Sequence, residues 1–300
     1  MGAGLAHEFP AARRVFEEAD EALGFALSRL CLEGPEDDLR LTANTQPATL
    51  ATSIAALRAF ESECSLRPEL AAGHSLGEYS ALVAAGALTL GDALRAVRER
   101  GRLMQEACPP GRGAMAALIG LELAAVNELC AEASTGGEVA VAANLNAPGQ
   151  IVISGDAGAV RRALEAAKAR GAGASVELKV SAPFHCLLMR PARDAMAPAL
   201  ERLTVAPLKF GVIANVTAEV NRDATQVTPL LLEQITGSVR WEESMGTLAA
   251  AGVTETIEFG AGHVLAGLMR RINRNLKVRS VEDASSLRAT LKALMTESPS

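Results

Sequence analysis

The chain has 300 residues, of which 49% are hydrophobic, 21% charged and 3% aromatic, a balance that is typical of a folded globular protein and excludes a disordered chain. The net charge of −6 at pH 7 offers no general basic field to nucleic acid. The first residues lack the blocks of a secretory signal, no apolar run approaches the roughly 18 residues of a membrane span, and the five scattered cysteines include no zinc-like pair, so we expect a cytoplasmic protein without a metal site.

The first third of the chain is predicted to be mainly helical. A proline in the first turn and a glycine after the last apolar residue predict a helix over Pro10–Leu23. Thr89 and Asp92 are placed as an N-cap and its third residue, which predicts the start of another helix. The remaining elements predicted here are helices over residues 48–60, 81–85 and 89–107 and a short buried strand over residues 70–73.

A break at Pro109-Pro110-Gly111 separates this region from a different pattern. Strands over residues 114–119, 139–145, 150–154 and 174–180 alternate with helices over residues 123–133 and 157–169. The order β-α-β-β-α-β is that of a ferredoxin-like unit.

After Pro183 the chain returns to longer helices, over residues 189–202 and 229–235, and to apolar runs at residues 211–215 and 255–259. We therefore predict an α/β protein, with a discontinuous large domain over residues 1–110 and 184–300 and an inserted ferredoxin-like subdomain over residues 111–183. Residues 296–300 are expected to be frayed.

The sharpest motif is Gly73-His74-Ser75-Leu76-Gly77. It fits the pattern G-x-S-x-G, in which a serine stands on a tight turn between a strand and a helix. The amide of Leu76 would then be one donor to an oxyanion. The pattern is short, so an ordinary structural turn stays an alternative.

A serine nucleophile needs a base, and the chain has four histidines. His7 lies near the chain start, and His74 is the direct neighbour of the serine. His185 follows the inserted subdomain, where a loop that rejoins the large domain would line the cleft between them. We favour His185 as the base, with a structural histidine as the alternative.

Arg100 is the third signal, because it lies on the apolar side of its helix. At 100° per residue it falls among small and apolar residues, opposite the polar arc. A buried guanidinium needs an anionic partner. That partner is either an internal acid or the carboxylate of a substrate, which the planar guanidinium fits with two hydrogen bonds. The polar arc consists of Asp92, Arg95, Arg98, Glu99, Arg102, Gln105 and Glu106.

Together these residues indicate a reaction class. A serine with a histidine base is typical of acyl transfer or hydrolysis. An inward arginine indicates that the acyl group carries a carboxylate of its own.

Ordered motifs along nearly the whole chain resemble the malonyl-CoA:acyl-carrier-protein transacylases. The serine motif continues as Glu78-Tyr79-Ser80 in the manner of that family. The other matching stretches are residues 45–48, 100–107, 113–116, 144–150, 183–185 and 214–217. Their number and order make the resemblance more specific than the serine motif alone.

The resemblance implies a hydrolase-like parallel-sheet domain with a ferredoxin-like insertion. It implies that malonyl-CoA acylates Ser75 and that the phosphopantetheine thiol of an acyl carrier protein then takes the malonyl group. No cofactor or metal is implied, and the family implies a monomer. Neither the fatty-acid nor the polyketide pathway is singled out.

The resemblance also assigns roles to residues. His185 matches the base, oriented by a main-chain carbonyl from the segment 238–241 rather than by an acid. Arg100 matches the arginine that binds the acyl carboxylate, and Gln46 matches a glutamine of the acyl pocket. Phe184 resembles the malonyl-selecting form of its position.

Three departures from the family stand out. Arg240 occupies a position that also varies in the family, and a main-chain contact would tolerate it. Gly260-Ala261-Gly262-His263 replaces the usual Gly-Pro-Gly-Lys. The family's opening strand and Gly-Gln-Gly-Ser-Gln turn, which supplies a second oxyanion amide, are absent from the 300 residues. We expect this piece, on the order of 10–15 residues, to be encoded before Met1, and we expect the chain as given to be poorly stable and nearly inactive.

Two other functions stay open at this point. A serine thioesterase or esterase would usually place an acid between serine and histidine, but Asp156 and Glu165 fall in the inserted subdomain. An inactive, truncated relic that binds carrier protein is the non-enzymatic alternative. Carrier proteins are acidic, so a basic stretch without acids is the expected docking surface, and it consists of Arg270, Arg271, Arg274, Lys277 and Arg279.

Overall fold

The structure is a computed structural model that describes residues 1–297, so most of the predicted frayed end lies outside the described residues. Helices predominate among the elements of the chain. They are α1 (Ala3–Glu8), α2 (Pro10–Leu23), α3 (Leu27–Glu33), α4 (Glu36–Arg40), α5 (Thr42–Glu63), α6 (Gly77–Ala84), α7 (Leu90–Glu106), α8 (Leu123–Ala133), α9 (Ala157–Ala169), α10 (Arg190–Glu201), α11 (Ala224–Gln234), α12 (Trp241–Ala250), α13 (Val264–Ile272) and α14 (Ala284–Glu297).

The predicted starts and ends are confirmed for several helices, and α5 is the clearest correction. The helix predicted over residues 48–60 begins at Thr42 and continues to Glu63, with Pro47 inside it. Proline has no N–H, so the carbonyl of Ala43 loses its helical donor. The side chain of Arg98 on α7 donates to that carbonyl over 3.3 Å, which compensates for the missing bond.

The strands form three separate sheets among the described residues. In the large domain β1 pairs with β6 and β8 pairs with β9, both in parallel, and β7 adds an antiparallel edge to β6. The strands are β1 (Leu70–Ala72), β2 (Gly113–Ile119), β3 (Ala140–Ala147), β4 (Gln150–Asp156), β5 (Ala174–Glu177), β6 (Gly211–Ile213), β7 (Val220–Asn221), β8 (Glu255–Phe259) and β9 (Lys277–Val281).

The inserted unit has the predicted ferredoxin-like order. Its four strands form an antiparallel sheet in the order β3-β4-β2-β5, and α8 and α9 pack together on it around an apolar core. The last strand is shorter than predicted and ends at Glu177. We propose the predicted boundaries, residues 111–183, for this unit, because it has a hydrophobic core of its own.

The two units are joined by backbone hydrogen bonds as well as by packing. Val239, in the segment between α11 and α12, forms a parallel bridge with Asn144 of β3. The Val239 amide donates to Ala143 over 2.9 Å, and the Leu145 amide donates to Val239 over 2.9 Å. Trp241 packs in the core beside this bridge.

The large domain is held by a core of helical side chains. The apolar faces of α2, α5, α6 and α7 meet there, and they include the fully buried Tyr79, Leu50 and Leu94. None of the helices described for residues 1–297 is both long and apolar enough to cross a membrane.

Candidate active site

The serine motif forms a sharp turn between β1 and α6. Ser75 has φ 51°, a left-handed backbone conformation that a non-glycine residue adopts only when its surroundings hold it there. Gly73 is required, because a Cβ at that position would collide with the backbone of Gly77. The side chain of Asn215 holds the turn: its Oδ1 accepts from the Ser75 amide over 2.7 Å, and its Nδ2 donates to the Gly73 carbonyl over 2.8 Å.

His185 is the histidine that reaches the serine. Its Nε2 lies 2.8 Å from Ser75 Oγ, and its Nδ1 lies 2.9 Å from the Gln234 carbonyl and 3.2 Å from the Gly237 carbonyl. Carbonyl oxygens only accept, so the proton sits on Nδ1 and the lone pair of Nε2 faces the serine. Burial, with a further contribution from the Arg100 cation, lowers the pKa of His185 to about 3. The imidazole is therefore neutral and ready to accept the hydroxyl proton.

The orienting carbonyls correct one sequence prediction. They come from Gln234 and Gly237, not from residues 238–241. Gln234 ends α11, and carbonyls in the last turn of a helix have no donor within the helix. Residues 238 and 239 bond to β3 instead: Ser238 Oγ donates to the Ala142 carbonyl over 2.6 Å, next to the bridge at Val239.

Arg100 faces the interior, as its helix position predicts, and its side chain is only 2% exposed. Nη1 donates to Gln46 Oε1 over 2.7 Å. Nη2 donates to Ser75 Oγ over 3.1 Å and to Gln234 Oε1 over 2.9 Å. Among residues 1–297 no carboxylate forms an ion pair with Arg100, so the direct internal salt bridge left open by the sequence is wrong.

The other predicted site residues surround this group. Gln46, on α5, is buried and bonded to Arg100. The Leu76 amide, beside the serine, makes no hydrogen bond to any described residue, so it is free to bind an oxyanion. Phe184 is half-buried and packs against the cores of both units next to His185.

Sequence reasoning missed three polar residues of the site. Glu78, Asn215 and Gln234 are fully or almost fully buried and connect the serine turn to Arg100. Glu78 and Asn215 lie in stretches that carry the resemblance, but neither their residue type nor their position indicated a chemical role. Gln234 lies at the end of a predicted helix, and no motif or pattern in the sequence identifies it as a site residue.

The remaining candidates lie elsewhere. His74 Nε2 contacts Asn146 Oδ1 over 2.8 Å and its ring lies beside Trp241, so it does not face the serine hydroxyl. His263 pairs with Glu282. The carboxylate of Asp156 accepts from the Val139 amide and does not contact His185. Within residues 1–297 no group of side chains is arranged to hold a metal ion.

The chain belongs to the acyl transferase domain family. The family model described as "Acyl transferase domain" matches residues 1–292. The fold and the serine–histidine pair described above are therefore those of a member of an acyltransferase family.

Within that family, the relatives carry a more specific name. A protein of Bacillus subtilis named malonyl CoA-acyl carrier protein transacylase is 46% identical over 99% of this chain and 93% of its own length. The Escherichia coli protein of the same name is 41% identical over 97% of this chain and 94% of its own.

Solved structures show the same likeness. That of the malonyl CoA-acyl carrier protein transacylase from Coxiella burnetii has a TM-score of 0.95 at 38% identity and covers 98% of this chain and 93% of its own. A malonyl-transacylase in complex with a type II PKS acyl-carrier protein has a TM-score of 0.95 at 42% identity, over 98% of this chain and 94% of its own.

Proposed function

We propose that this protein transfers a malonyl group from malonyl-CoA to the phosphopantetheine thiol of an acyl carrier protein, through a malonyl ester on Ser75. The observation that carries the proposal is the geometry around one hydroxyl. Ser75 Oγ lies 2.8 Å from a neutral base and 3.1 Å from the guanidinium of Arg100. The Ser75 hydroxyl therefore contacts both a base that can take its proton and a cation that can bind the carboxylate of an acyl group.

The acylation half of the reaction uses the serine and the histidine. His185 Nε2 takes the hydroxyl proton as Ser75 Oγ attacks the thioester carbonyl of malonyl-CoA. The Leu76 amide stabilises the oxyanion that forms. The carbon–sulfur bond then breaks, and His185 returns the proton to the departing CoA sulfur.

The second half repeats the same steps with another thiol. The phosphopantetheine thiol gives its proton to His185 Nε2 and attacks the ester carbonyl. The bond to Ser75 Oγ breaks, and His185 returns the proton to that oxygen. Two main-chain carbonyls hold the imidazole in the same tautomer throughout, so no acid is needed to orient it.

Arg100 is proposed to select the acyl group. Its guanidinium is charged, buried and without an ion pair among the described residues, and its neighbours at the front are the serine hydroxyl and the amide oxygen of Gln46. A carboxylate placed there would gain charge-assisted hydrogen bonds. Gln46 would orient the guanidinium, and Phe184 would limit the size of the acyl chain.

A serine hydrolase is the second candidate, and one observation weighs against it. The Nδ1 atom of His185 bonds to two carbonyls, whereas a hydrolase triad usually places a carboxylate there. We also propose a cytoplasmic monomer without a cofactor. The thiols support that location, because all five cysteines are free.

The decisive experiment follows the malonyl group. Malonyl-CoA is incubated with the protein, with and without holo acyl carrier protein, and malonyl carrier protein, free malonate and malonyl protein are measured by mass spectrometry. We expect malonyl carrier protein, formed slowly in keeping with the single oxyanion donor proposed here, and a malonyl adduct on Ser75 when the carrier is left out. Ser75→Ala should form neither. Free malonate as the main product would favour the hydrolase, and no product would favour the relic.

The basic stretch remains the proposed docking surface, and its residues belong to more than one element. It runs from the end of α13 through a loop into β9, and Arg279 in it pairs with Glu255. The exposed Arg270 and Arg274 are therefore the members to test. An acidic carrier would be attracted to them.

We expect Arg270→Glu combined with Arg274→Glu to raise the KM for carrier protein about tenfold and to leave the KM for malonyl-CoA unchanged. The matched control reverses two other exposed arginines, Arg14 and Arg202, which changes the net charge equally. If both pairs of reversals act alike, or neither acts, the carrier docks on another surface.

A further inference from the structure

A buried cation and a buried anion lie one amide apart behind the serine. Arg100 Nη2 donates to Gln234 Oε1 over 2.9 Å, and Gln234 Nε2 donates to Glu78 Oε2 over 2.7 Å. Both charged side chains are almost fully inaccessible, with 2% and 3% exposure. Buried charges are costly unless they are compensated, so Glu78 is the compensating charge that Arg100 does not meet directly.

The orientation of the Gln234 amide is fixed by its partners. A guanidinium only donates, so the atom that faces Arg100 is the amide oxygen. The nitrogen faces acceptors alone: the Ser75 carbonyl over 2.9 Å, Glu78 Oε2, and Asn215 Oδ1 over 3.3 Å. The amide dipole therefore has one orientation, with its nitrogen towards the Glu78 carboxylate and its oxygen towards the Arg100 guanidinium.

Glu78 is hydrogen-bonded as a carboxylate, and its burial is what favours uptake of a proton. Its Oε2 accepts from the Asn215 amide over 3.0 Å as well as from Gln234. Burial raises the pKa of Glu78 to about 7, whereas the hydrogen bonds from Asn215 and Gln234 and the charge of Arg100 act in the opposite direction and favour the ionised form. Tyr79, the neighbouring titratable group, stays neutral because burial raises its pKa to about 12. His185 is neutral as well.

We propose that Glu78 is the resident counter-ion of Arg100, that Gln234 holds it one side chain away, and that Glu78 takes up a proton from solvent when an acyl carboxylate binds to the guanidinium. This inference rests on the proposed function, in which Arg100 binds the malonyl carboxylate. It makes Glu78 and Gln234 positioning residues that determine specificity without touching the reacting atoms.

The separation explains how a buried arginine stays charged and yet available. A direct salt bridge would occupy the donors that the substrate needs. An uncompensated guanidinium would be costly to bury. A counter-ion that is separated from the guanidinium by one side chain avoids both problems. Once the acyl carboxylate arrives, two anions would face one cation, so protonation of Glu78 becomes favourable.

Proton uptake is the direct test. In the Ser75→Ala background, which cannot be acylated, binding of malonyl-CoA is measured by calorimetry in buffers of different ionisation enthalpy. We expect uptake approaching one proton per malonyl-CoA near pH 8, and an affinity that falls by up to about tenfold per pH unit above pH 7. Acetyl-CoA, whose acyl group has no carboxylate, should bind without uptake.

Glu78→Gln in the same background should remove both the uptake and the pH dependence for malonyl-CoA. If the uptake persists in that variant, or is equal for acetyl-CoA, the inference is overturned. Should the variant fail to fold, the exchange Glu78→Gln with Gln234→Glu supplies the second test. It keeps one amide and one carboxylate in the pair, places the carboxylate directly against Arg100 and keeps the carbonyl that orients His185. It should weaken malonyl-CoA binding about a hundredfold and acetyl-CoA binding less than threefold. Equal weakening of both ligands would overturn the inference.

Failure of the proposed function gives a different result. If Arg100→Ala binds malonyl-CoA and acetyl-CoA with an unchanged ratio of affinities, the arginine does not bind the acyl carboxylate at all. If that ratio collapses but Glu78→Gln leaves the proton uptake intact, the arginine has its proposed role and the counter-ion does not.

Discussion

Arg100→Ala is expected to lower malonyl transfer at least a hundredfold and to leave acetyl transfer unchanged or faster. The guanidinium is the charged group at the front of the pocket, 3.1 Å from the nucleophile, and the loss of a charge-assisted pair costs about 3 kcal/mol, which is two decades in rate. Acetyl-CoA has no carboxylate to lose this interaction, and the smaller side chain leaves more space for uncharged acyl groups.

The measurement is kcat/KM for malonyl-CoA and acetyl-CoA with the same carrier protein. Arg102→Ala is the matched control, because it removes an exposed arginine of the same helix whose side chain pairs with Glu99 and Glu106 instead of contacting the serine. A loss of equal size for both acyl groups in Arg100→Ala would mean that the arginine supports the fold and not the acyl selection.

Gly73→Ala is expected to destabilise the protein by about 3 kcal/mol, a cost typical of overpacking, and to abolish transfer. The added Cβ would overlap the backbone of Gly77, and backbone cannot move aside as a flexible side chain does. The turn that holds Ser75 in its left-handed conformation would therefore open.

Thermal unfolding and the malonyl assay together test this prediction. Gly77→Ala is the matched control, since a Cβ at Gly77 meets no atom within 4 Å and the residue begins α6. The control should keep its stability within about 0.5 kcal/mol. If Gly73→Ala unfolds at the same temperature as the control, the turn is more adaptable than its geometry indicates.

The elements of the inserted unit were the easiest part of the fold to predict. Its helices, Leu123–Ala133 and Ala157–Ala169, begin and end at the predicted residues, because turn signals bound each amphipathic run. The start of α5 was not predictable in the same way. Pro47 indicated a boundary, and the arginine that satisfies the freed carbonyl lies on another helix, 55 residues further along the chain.

The residues of the site also differ in how far the sequence predicts them. Ser75, His185 and Arg100 carry chemistry that a sequence displays: a nucleophile between glycines, a rare residue type and a charge on an apolar face. The sequence around Gln234 contains no indication of a functional role, since an amide side chain at the end of a helix has no preferred role. Its contacts join residues up to 159 positions apart, and only the folded chain brings them together.

The bridge between Val239 and Asn144 connects the orientation of the catalytic base to the position of the inserted unit. The same short segment offers the Gly237 carbonyl to His185 and, two residues later, pairs with the sheet of the inserted unit. Any hinge motion that moved that unit away from the large domain would break the pairing and pull the imidazole out of line. The inserted unit is therefore expected to stay fixed against the large domain while CoA and then the carrier protein bind, so that His185 keeps the same orientation towards Ser75 in both halves of the reaction.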